Sequence, residues 1–351
     1  MAKLADVTAE IRVILKLLAA SAIIVTVIFV FFKGGQIFKN AFFPTPPPPP
    51  AEKFGKLPRI EFPPNESSNL TYQINTVTGE LPTTGNLRGQ IPDRVKVYKI
   101  KRKEPSLTAL QTARENVSFL GFINNETKIN ESVYQWSNTE GDAIQYNILT
   151  DNFRILSNFL TQPPGTLSPD FGNKNTVLTE TKNILENLGE DISDIDEGRS
   201  DVSYFAVGDG KLIKVDSRSN AQVVELNLMQ KKIDNLPIYY PRLDRSTMYF
   251  VYKSIDTEAR VVEARFTHFL ANTKEVTDYP IKTALEAFED LKRGDALIIN
   301  NTDNTTIDIT DVSLGYYAGE ENQPYFLPVI VFGGKDFVAY VQAVPETSIG
   351  N

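Results

Sequence analysis

The sequence predicts an α+β fold that follows an N-terminal transmembrane helix and consists of helix-on-antiparallel-sheet modules. Three amphipathic helical segments are each followed by a series of short, alternating strands, a pattern typical of antiparallel sheets covered by a helix. An unbroken apolar stretch over residues 13–32 precedes them. We therefore expect a membrane anchor first and a folded body after it.

The composition excludes several classes of function. The 351 residues include 36 Lys and Arg against 44 Asp and Glu, which gives a formal net charge of −8. A strongly acidic chain is a poor partner for phosphates, so we expect no binding of nucleic acid. The absence of Cys rules out disulfides and thiol catalysis, and the single histidine, His268, rules out a multi-histidine metal site.

Residues 13–32 predict a transmembrane helix that places the chain in the lipid bilayer. Twenty residues make a helix of about 30 Å, which matches the bilayer core. The only charge is Lys16, near one end, where it can reach the interface. A cleaved signal peptide is less consistent with the sequence, because the small residues Ala20, Ser21 and Ala22 precede the most apolar part.

The charges beside this segment predict its orientation. Three basic residues (Lys3, Arg12 and Lys16) lie on the N-terminal side, and two (Lys33 and Lys39) follow the segment. The positive-inside rule then puts residues 1–12 in the cytoplasm and the body outside it. The sequence thus predicts a single-pass protein of the plasma membrane with an extracytoplasmic C-terminal domain.

Residues 33–65 predict a juxtamembrane segment and a proline-rich linker. Residues 44–50 contain six prolines in seven positions, which favours polyproline II and a span of roughly 20 Å. Pro58, Pro63 and Pro64 extend the same composition. A ligand for SH3-type domains is the alternative, but it would require a cytosolic location.

Two α+β modules are predicted after the linker, over residues 66–172 and 173–351, with a further division near residue 275 as an option. The first helix follows Ser106 and ends at Gly121, and the second covers Val177–Leu188. The third begins at Pro280 and ends at Gly294. Apolar spacing and terminating glycines agree in each case.

Strands are predicted wherever apolar and polar residues alternate between turn signals. Gly208-Asp209-Gly210 predicts a tight hairpin turn. A change of phase after Ile309 predicts a bulge within a single strand, Thr306–Tyr317. The predicted strands are Ser132–Ser137, Ala143–Leu149, Asn152–Phe159, Val202–Val207, Lys211–Asp216, Ala221–Met229, Thr247–Lys253, Arg260–Leu270, Thr306–Tyr317, Tyr325–Phe332 and Phe337–Val344.

The last 170 residues contain a series of short motifs in a particular order. After the Val177–Leu188 helix come Asp234-Asn235-Leu236-Pro237-Ile238-Tyr239, Asp290-Leu291-Lys292-Arg293-Gly294, Leu314-Gly315-Tyr316-Tyr317, the strand Tyr325–Phe332 and Phe337-Val338-Ala339-Tyr340-Val341. This order resembles the PepSY-like, cystatin-like modules of YycH/YycI-type proteins. The resemblance implies a membrane-anchored extracytoplasmic regulator of a cell-wall sensor kinase, without catalytic residues to carry over.

Three groups of residues could carry chemistry. His268 shares a strand face with Val262, Ala264 and Phe266, which favours a hydrogen-bonded core histidine over a catalytic base. An acidic loop could hold a weak divalent cation, but it lacks the ligand alternation of an EF-hand, which favours a solvated loop. Its members are Glu190, Asp191, Asp194, Asp196, Glu197 and Asp201.

Clustered aromatic residues could bind sugars or peptides, although packing against a helix is the commoner role for such residues in strands. They are Tyr239-Tyr240-Pro241, Tyr316-Tyr317, Tyr325-Phe326 and the lone Trp136.

The sequence therefore assigns no catalytic, cofactor-binding or metal residue and predicts no cofactor. The first functional hypothesis is a membrane-anchored binding or regulatory protein of the bacterial cell envelope, whose partner is a membrane sensor kinase or another envelope protein. The alternative is a tethered envelope hydrolase with a carboxylate pair, which sequence spacing cannot exclude. A structural spacer is the third hypothesis.

Overall fold

The computed structural model describes residues 48–64, 70–85, 87, 89–104, 106–161, 171–255, 258–300 and 302–350, together with Ser21, Thr26, Phe29 and Lys33. The chain divides into two compact units, residues 1–49 and 50–351. In the first unit, the ammonium group of Lys33 lies 5.8 Å from the centre of the Phe29 ring. The second unit contains all of the elements described below.

The predicted membrane-spanning segment, residues 13–32, lies outside the described residues except for Ser21, Thr26 and Phe29. Within the part of the chain that is described, no helix combines the length and the apolar character that a bilayer crossing requires. The transmembrane helix therefore stays a prediction from the sequence.

The predicted α+β class is confirmed, with few helices and large antiparallel sheets. Within the second unit, the described residues form three α-helices: α1 (Ala109–Phe119), α2 (Lys174–Asn187) and α3 (Ala284–Arg293). The strands are β1 (Thr71–Ile74), β2 (Arg94–Ile100), β3 (Asn124–Lys128), β4 (Val133–Ser137), β5 (Ala143–Asn147), β6 (Phe153–Leu156), β7 (Asp201–Gly208), β8 (Lys211–Val215), β9 (Val223–Asn227), β10 (Ile238–Tyr239), β11 (Met248–Ile255), β12 (Glu258–Phe266), β13 (Ala271–Pro280), β14 (Leu297–Asn300), β15 (Thr306–Ile309), β16 (Asp311–Tyr317), β17 (Tyr325–Gly334) and β18 (Phe337–Gln342).

Each helix ends just before the glycine that predicts its end. Two of the helices, α1 and α3, begin later than the sequence predicts. Helix α3 follows Thr283, whose hydroxyl accepts from the N–H of Glu286 while the Glu286 carboxylate accepts from the N–H of Thr283. This capping box fixes the start, since it satisfies two orphan donors. Pro280 instead ends strand β13. Helix α1 follows Thr108 rather than Ser106, which leaves Leu107 before the helix and fully exposed.

Nine strands form one antiparallel sheet in the order β3-β4-β5-β6-β12-β11-β9-β7-β8. Strands β7 and β8 are joined by the predicted tight turn, in which Asp209 and Gly210 both have positive φ. Helices α1 and α2 contact this sheet at β5 and β9. The sequence-based boundary between residues 172 and 173 falls between β6 and α2, so the sheet contains strands from both sides of it.

A second, seven-stranded sheet has the order β10-β16-β17-β18-β14. Strand β2 belongs to the same sheet and pairs with β13 and with the first residues of β17. Helix α3 contacts this sheet at β18. The predicted single strand Thr306–Tyr317 is in fact two strands: β15 pairs in parallel with β1, and β16 pairs with β17. The change of phase in the sequence therefore marks a change of sheet at Thr310, not a bulge within one strand.

The seven-stranded sheet is buried on both faces. In β17, all residues from Phe326 to Phe332 are buried. One face joins the main core, which also contains residues of the helices and of the nine-stranded sheet. The other face packs against residues 54–62 and the C-terminal residues Val344 and Ile349. A continuous apolar run in a strand is the expected result of two covered faces.

Residues 50–64, which the sequence predicts as the end of the linker, thus lie against the sheet. Leu57 has no exposed surface and forms a parallel bridge with Ile349. Its N–H donates to the carbonyl of Ser348 at 2.9 Å, and its carbonyl accepts from Gly350 at 2.8 Å. Phe54 packs on Tyr325 with ring centres 5.1 Å apart. This segment acts as a cover for the second face.

Replacing Leu57 by Ala tests whether this segment belongs to the folded body. We expect Leu57→Ala to lower the free energy of unfolding in urea by about 2–5 kcal/mol, because it leaves a cavity in a closed apolar contact. Leu107→Ala is the matched control, since that side chain is fully exposed and should leave the urea midpoint unchanged. Equal midpoints for both variants would contradict the packing of residues 54–62.

Candidate binding groove

An open groove with a volume of about 910 Å³ lies where the cover over the seven-stranded sheet stops. Its floor is the sheet face that residues 54–62 only partly cover, and it consists of Leu297 and Ile299 of β14, Tyr317 of β16 and Leu327 of β17. Three segments form its walls: residues 58–64, 241–244 and 319–324. A concave apolar surface with a polar rim is the usual form of a binding site.

The first wall, residues 58–64, is held by one buried glutamine. The side-chain oxygen of Gln342 accepts from the N–H of Ile60 at 2.8 Å, and its side-chain nitrogen donates to the carbonyl of Pro58 at 3.3 Å. The ring of Phe62 meets Tyr317 edge to face with centres 5.2 Å apart. Both contacts fix the main chain of the wall against the sheet.

The second wall, residues 319–324, is a loop that another glutamine holds by bonding to its main chain. The Gln323 side chain accepts from the N–H of Gly319 at 3.0 Å and donates to the carbonyls of Tyr317 and Tyr325 at 2.9 and 3.1 Å. Glu320 pairs with Arg265 of β12 at 2.6 Å, which ties the loop to the nine-stranded sheet. The loop is therefore fixed at both its base and its side.

The third wall, residues 241–244, lies between β10 and β11 and is anchored from below by Asn227. The side-chain nitrogen of Asn227 donates to the carbonyl of Asp244 at 3.3 Å, and its oxygen accepts from the N–H of Ser246 at 2.8 Å. The hydroxyl of Ser246 donates to the carbonyl of Leu228 at 2.6 Å. Buried polar groups with satisfied partners give this turn one conformation.

Arg245, directly after this wall, is the centre of a charged network on the nine-stranded sheet. Its guanidinium pairs with the buried Glu225, lies 3.6 Å from Glu263 and stacks 4.0 Å from the centre of the Tyr249 ring. Tyr249 donates to Glu263 at 2.9 Å. Burial alone would lower the pKa of Arg245, but the bond to Glu225 outweighs it and raises that pKa. The network fixes the end of the wall.

Two of the four carboxylates in the groove, Asp244 and Glu320, pair with arginines. Burial opposes ionisation of Asp244, but the hydrogen bond and charge of Arg242 outweigh it and hold the pKa of Asp244 below its ordinary value. Glu320 is paired with Arg265. A general acid needs a raised pKa. The lowered pKa of Asp244 makes it a poor general acid, so this carboxylate is suited to recognition.

The residues that hold the walls carry only a weak signal in the sequence. Gln342 ends the apolar run of β18, and a polar residue in such a run indicates a hydrogen bond to neighbouring main chain. Gln323 lies in a loop and gives no comparable signal. Among the residues that the sequence does single out, Pro58, Pro63, Pro64, Pro241 and Tyr317 line the groove.

His268 lies away from the groove, in a buried hydrogen-bonded pair. Its side chain is 3% exposed, and its Nε2 lies 2.8 Å from Oδ1 of Asp194. The other oxygen of Asp194 accepts from Gln230 at 2.7 Å, and the same Gln230 nitrogen donates to the carbonyl of Phe269 at 2.8 Å. The contacts link the connection between β12 and β13 to the acidic loop.

The acidic loop does not bring its carboxylates together. Asp196 accepts from the N–H groups of Gly198 and Arg199, and Glu197 pairs with Lys182 at 2.6 Å. Among the described residues, no group of three or more His, Asp and Glu side chains is placed to hold a metal ion. The carboxylates of the loop therefore make separate local contacts.

Glu190 differs from the other members of this loop. One of its carboxylate oxygens is buried and lacks a hydrogen-bond partner among the described residues. Burial raises the pKa of Glu190 to about 7, the neighbouring charge of Asp191 adds to the effect, and Lys103 opposes it. Asp191 itself has a lowered pKa, because Ser193 donates to it from both side chain and main chain.

The predicted aromatic clusters serve mainly as packing. Tyr239 packs on Tyr340 with tilted rings whose centres are 5.4 Å apart, and Tyr240 is buried and accepts from the N–H of Gln230. Trp136 is 3% exposed, and its indole N–H donates to Glu126 at 3.1 Å. Tyr317 alone among these residues forms part of the groove floor.

Comparisons with known proteins give little beyond the structure itself. No family model matches the chain, and no curated protein sequence matches it. Among solved structures, the chain is similar to YycH from Bacillus subtilis, with a TM-score of 0.30 and 11% identity, over 71% of this chain and 52% of that chain. The chain spans about half the length of that protein. A likeness of this strength decides neither the fold family nor the function.

The raised pKa of Glu190 predicts how stability depends on pH. The folded chain holds this proton more tightly than the unfolded chain, whose pKa is 4.5. The stabilisation is complete below pH 4.5 and is lost as the pH rises through about 7. Relative to Glu190→Gln, which does not titrate, the wild type should lose about 3 kcal/mol across this window.

Urea unfolding at pH 4.5, 6 and 8 measures this loss. Glu180→Gln is the control, because Glu180 is an exposed residue of α2 and forms no ion pair with any residue that the structure describes. Its stability should follow the wild type at every pH. Parallel curves for Glu190→Gln and wild type would show that Glu190 titrates normally.

Proposed function

We propose that the chain is a single-pass, membrane-anchored extracytoplasmic protein of the bacterial cell envelope that acts by recognising a protein or polymer, without catalysis. The groove is the observation that carries this proposal. Its lining is partly apolar, with Ile299 and Phe62 half-buried and Leu243 exposed, and each of its three walls is fixed by hydrogen bonds from a side chain to the main chain. Such a site binds without first having to order its own loops.

The membrane anchor is proposed from the sequence. The apolar segment 13–32 and its flanking charges support a single span with a cytoplasmic N-terminus. An anchored body meets membrane partners at a raised effective concentration, so moderate affinity in the groove is enough for regulation. A membrane sensor kinase is the partner that the resemblance to YycH/YycI-type proteins implies.

The module type is part of the same proposal. Helices α2 and α3 are each followed in the chain by antiparallel strands. Helix α2 contacts β9, and α3 contacts β18. This order agrees with the PepSY-like, cystatin-like arrangement implied by the sequence motifs.

The competing hypothesis is an envelope hydrolase with a carboxylate pair. Two carboxyl groups with separated pKa values do occur, at Glu190 and Asp191, and such a separation can assign an acid and a base. Neither residue lines the groove. Recognition in the groove and hydrolysis at Glu190 therefore depend on different residues and can be tested separately.

Deletion of residues 13–32 tests the anchor. The wild-type chain should stay in the membrane fraction after carbonate extraction, and the deletion variant should not. Protease added to intact cells should digest residues 50–351 of the wild type and spare a cytoplasmic control protein. A wild-type chain that is soluble, or a body that survives while a surface control is digested, would refute the proposed topology.

A photoreactive amino acid at Leu243 tests recognition in the groove. Leu243 lies in the third wall and is 42% exposed. We expect crosslinking in living cells to give an adduct that mass spectrometry identifies as an envelope protein. The same substitution at Leu107, exposed outside the groove, is the control. Identical adducts at both positions, or none at Leu243, would overturn groove recognition.

The activity of the full chain on purified cell wall tests the hydrolase hypothesis. Release of soluble glycan from purified cell wall by the full chain, abolished in Glu190→Gln and Asp191→Asn and retained in Glu180→Gln, would favour hydrolysis over recognition.

A further inference from the structure

We propose that the groove receives a cationic, partly apolar peptide segment of its partner. The proposal rests on the recognition function above and names the chemistry of the ligand. It follows from the charges on the walls, from the apolar floor between them and from free main-chain donors on one wall.

The charged side chains of the groove are not balanced. Arg59 and Arg242 are positive, while Glu61, Asp244, Glu320 and Glu321 are negative. Most of these charges have a partner: Arg59 pairs with Glu346, Arg242 with Asp244, and Glu320 with Arg265. The local charge that remains comes from Glu61 and Glu321.

Glu61 and Glu321 are exposed and form no ion pair with any residue that the structure describes. Glu61 lies on the first wall and Glu321 on the second. A ligand in the groove therefore meets an unpaired carboxylate on two walls. Complementary charge on the ligand would speed its encounter and exclude acidic competitors.

The floor between the two carboxylates is apolar. Leu297, Tyr317 and Leu327 are almost fully buried, so the accessible apolar surface comes from the half-buried Ile299 and Phe62 and from the exposed Leu243. Phe62 packs against Tyr317 on one side. A small hydrated cation would leave this surface unused. An aliphatic or aromatic side chain flanked by Lys or Arg would cover the floor and reach both walls.

Main-chain donors favour a peptide over a polyamine. The N–H groups of Ile60 and Phe62 are bonded, to Gln342 and to the carbonyl of Ile60. Within the described part of the chain, the N–H groups of Arg59 and Glu61 have no acceptor. A peptide carries carbonyl groups that can accept from a wall of this kind, whereas a polyamine carries none.

Fluorescence anisotropy with labelled hexapeptides tests the proposal on the full-length chain. The probes are acetyl-Lys-Ser-Leu-Phe-Ser-Lys-amide, its counterpart with Glu at both ends, and its counterpart with Ser at both ends. We expect the Lys peptide to bind most tightly and the Glu peptide most weakly. The preference should shrink between 50 and 300 mM salt, because exposed charges are screened. Equal affinity for all three peptides, or tighter binding of spermidine than of the Lys peptide, would overturn the proposal.

Variants link the preference to the two carboxylates. Glu61→Gln with Glu321→Gln should weaken binding of the Lys peptide about three- to tenfold, the effect of losing two exposed ion pairs. Glu61→Lys with Glu321→Lys should reverse the order and favour the Glu peptide. Glu180→Gln is the matched control and should bind as the wild type does. Unchanged binding in both double variants would refute the role of the walls.

The two proposals fail in different ways. Loss of peptide discrimination together with a retained envelope adduct at Leu243 would remove the ligand class and leave groove recognition standing. Specific peptide binding without any adduct at Leu243 in cells would support the ligand class and overturn the proposed recognition of an envelope protein.

Discussion

The seven-stranded sheet must be covered on both faces, and much of the second unit follows from this constraint. Phe326, Ile330 and Phe332 of β17 point into the main core, while Leu327 and Val329 point to the opposite side. Helix α3 and the other sheet supply cover for the first face. Within the described part of the chain, the second face is covered by residues 54–62 and the C-terminal residues. An extended segment is narrower than a helix or a sheet, so the cover ends before Ile299, which stays half-buried. The groove lies at this end of the cover.

Side chains that bond to main chain turn this gap into a defined site. Gln342, Gln323 and Asn227 each hold one wall, and each uses both ends of its amide group. An amide suits this task, because it donates and accepts in one plane without adding charge. Charged pairs add to these amides, because Glu320 with Arg265 ties the second wall to the nine-stranded sheet and Arg245 with Glu225 holds the end of the third.

The class of the fold was predictable from periodicity, but the packing of residues 54–62 on the second sheet face was not. The capping box at Thr283 and the turn at Asp209 are local, so neighbouring residues determine them. Pro58, in contrast, looks like part of a linker, and its packing depends on Gln342, which lies 284 residues later. The segment that begins at Thr306 is limited in the same way. Its change of phase can be read from the sequence, but the change of sheet depends on partner strands distant in the chain. Local patterns predict elements, and pairing over long separations determines how those elements build the groove.

The contact between Leu57 and Ile349 also has a mechanical consequence. Tension on the main chain at residue 50 would load first the bonds from Glu52 and Lys53 to Asp278 and Thr277 of β13 and then this short parallel bridge, ahead of the long antiparallel ladders of either sheet. When a few hydrogen bonds are loaded from one end, they break one after another. The apolar surface beneath would then widen before any sheet strand separated, so pulling on the leading segment would change the shape of the groove and leave the scaffold intact.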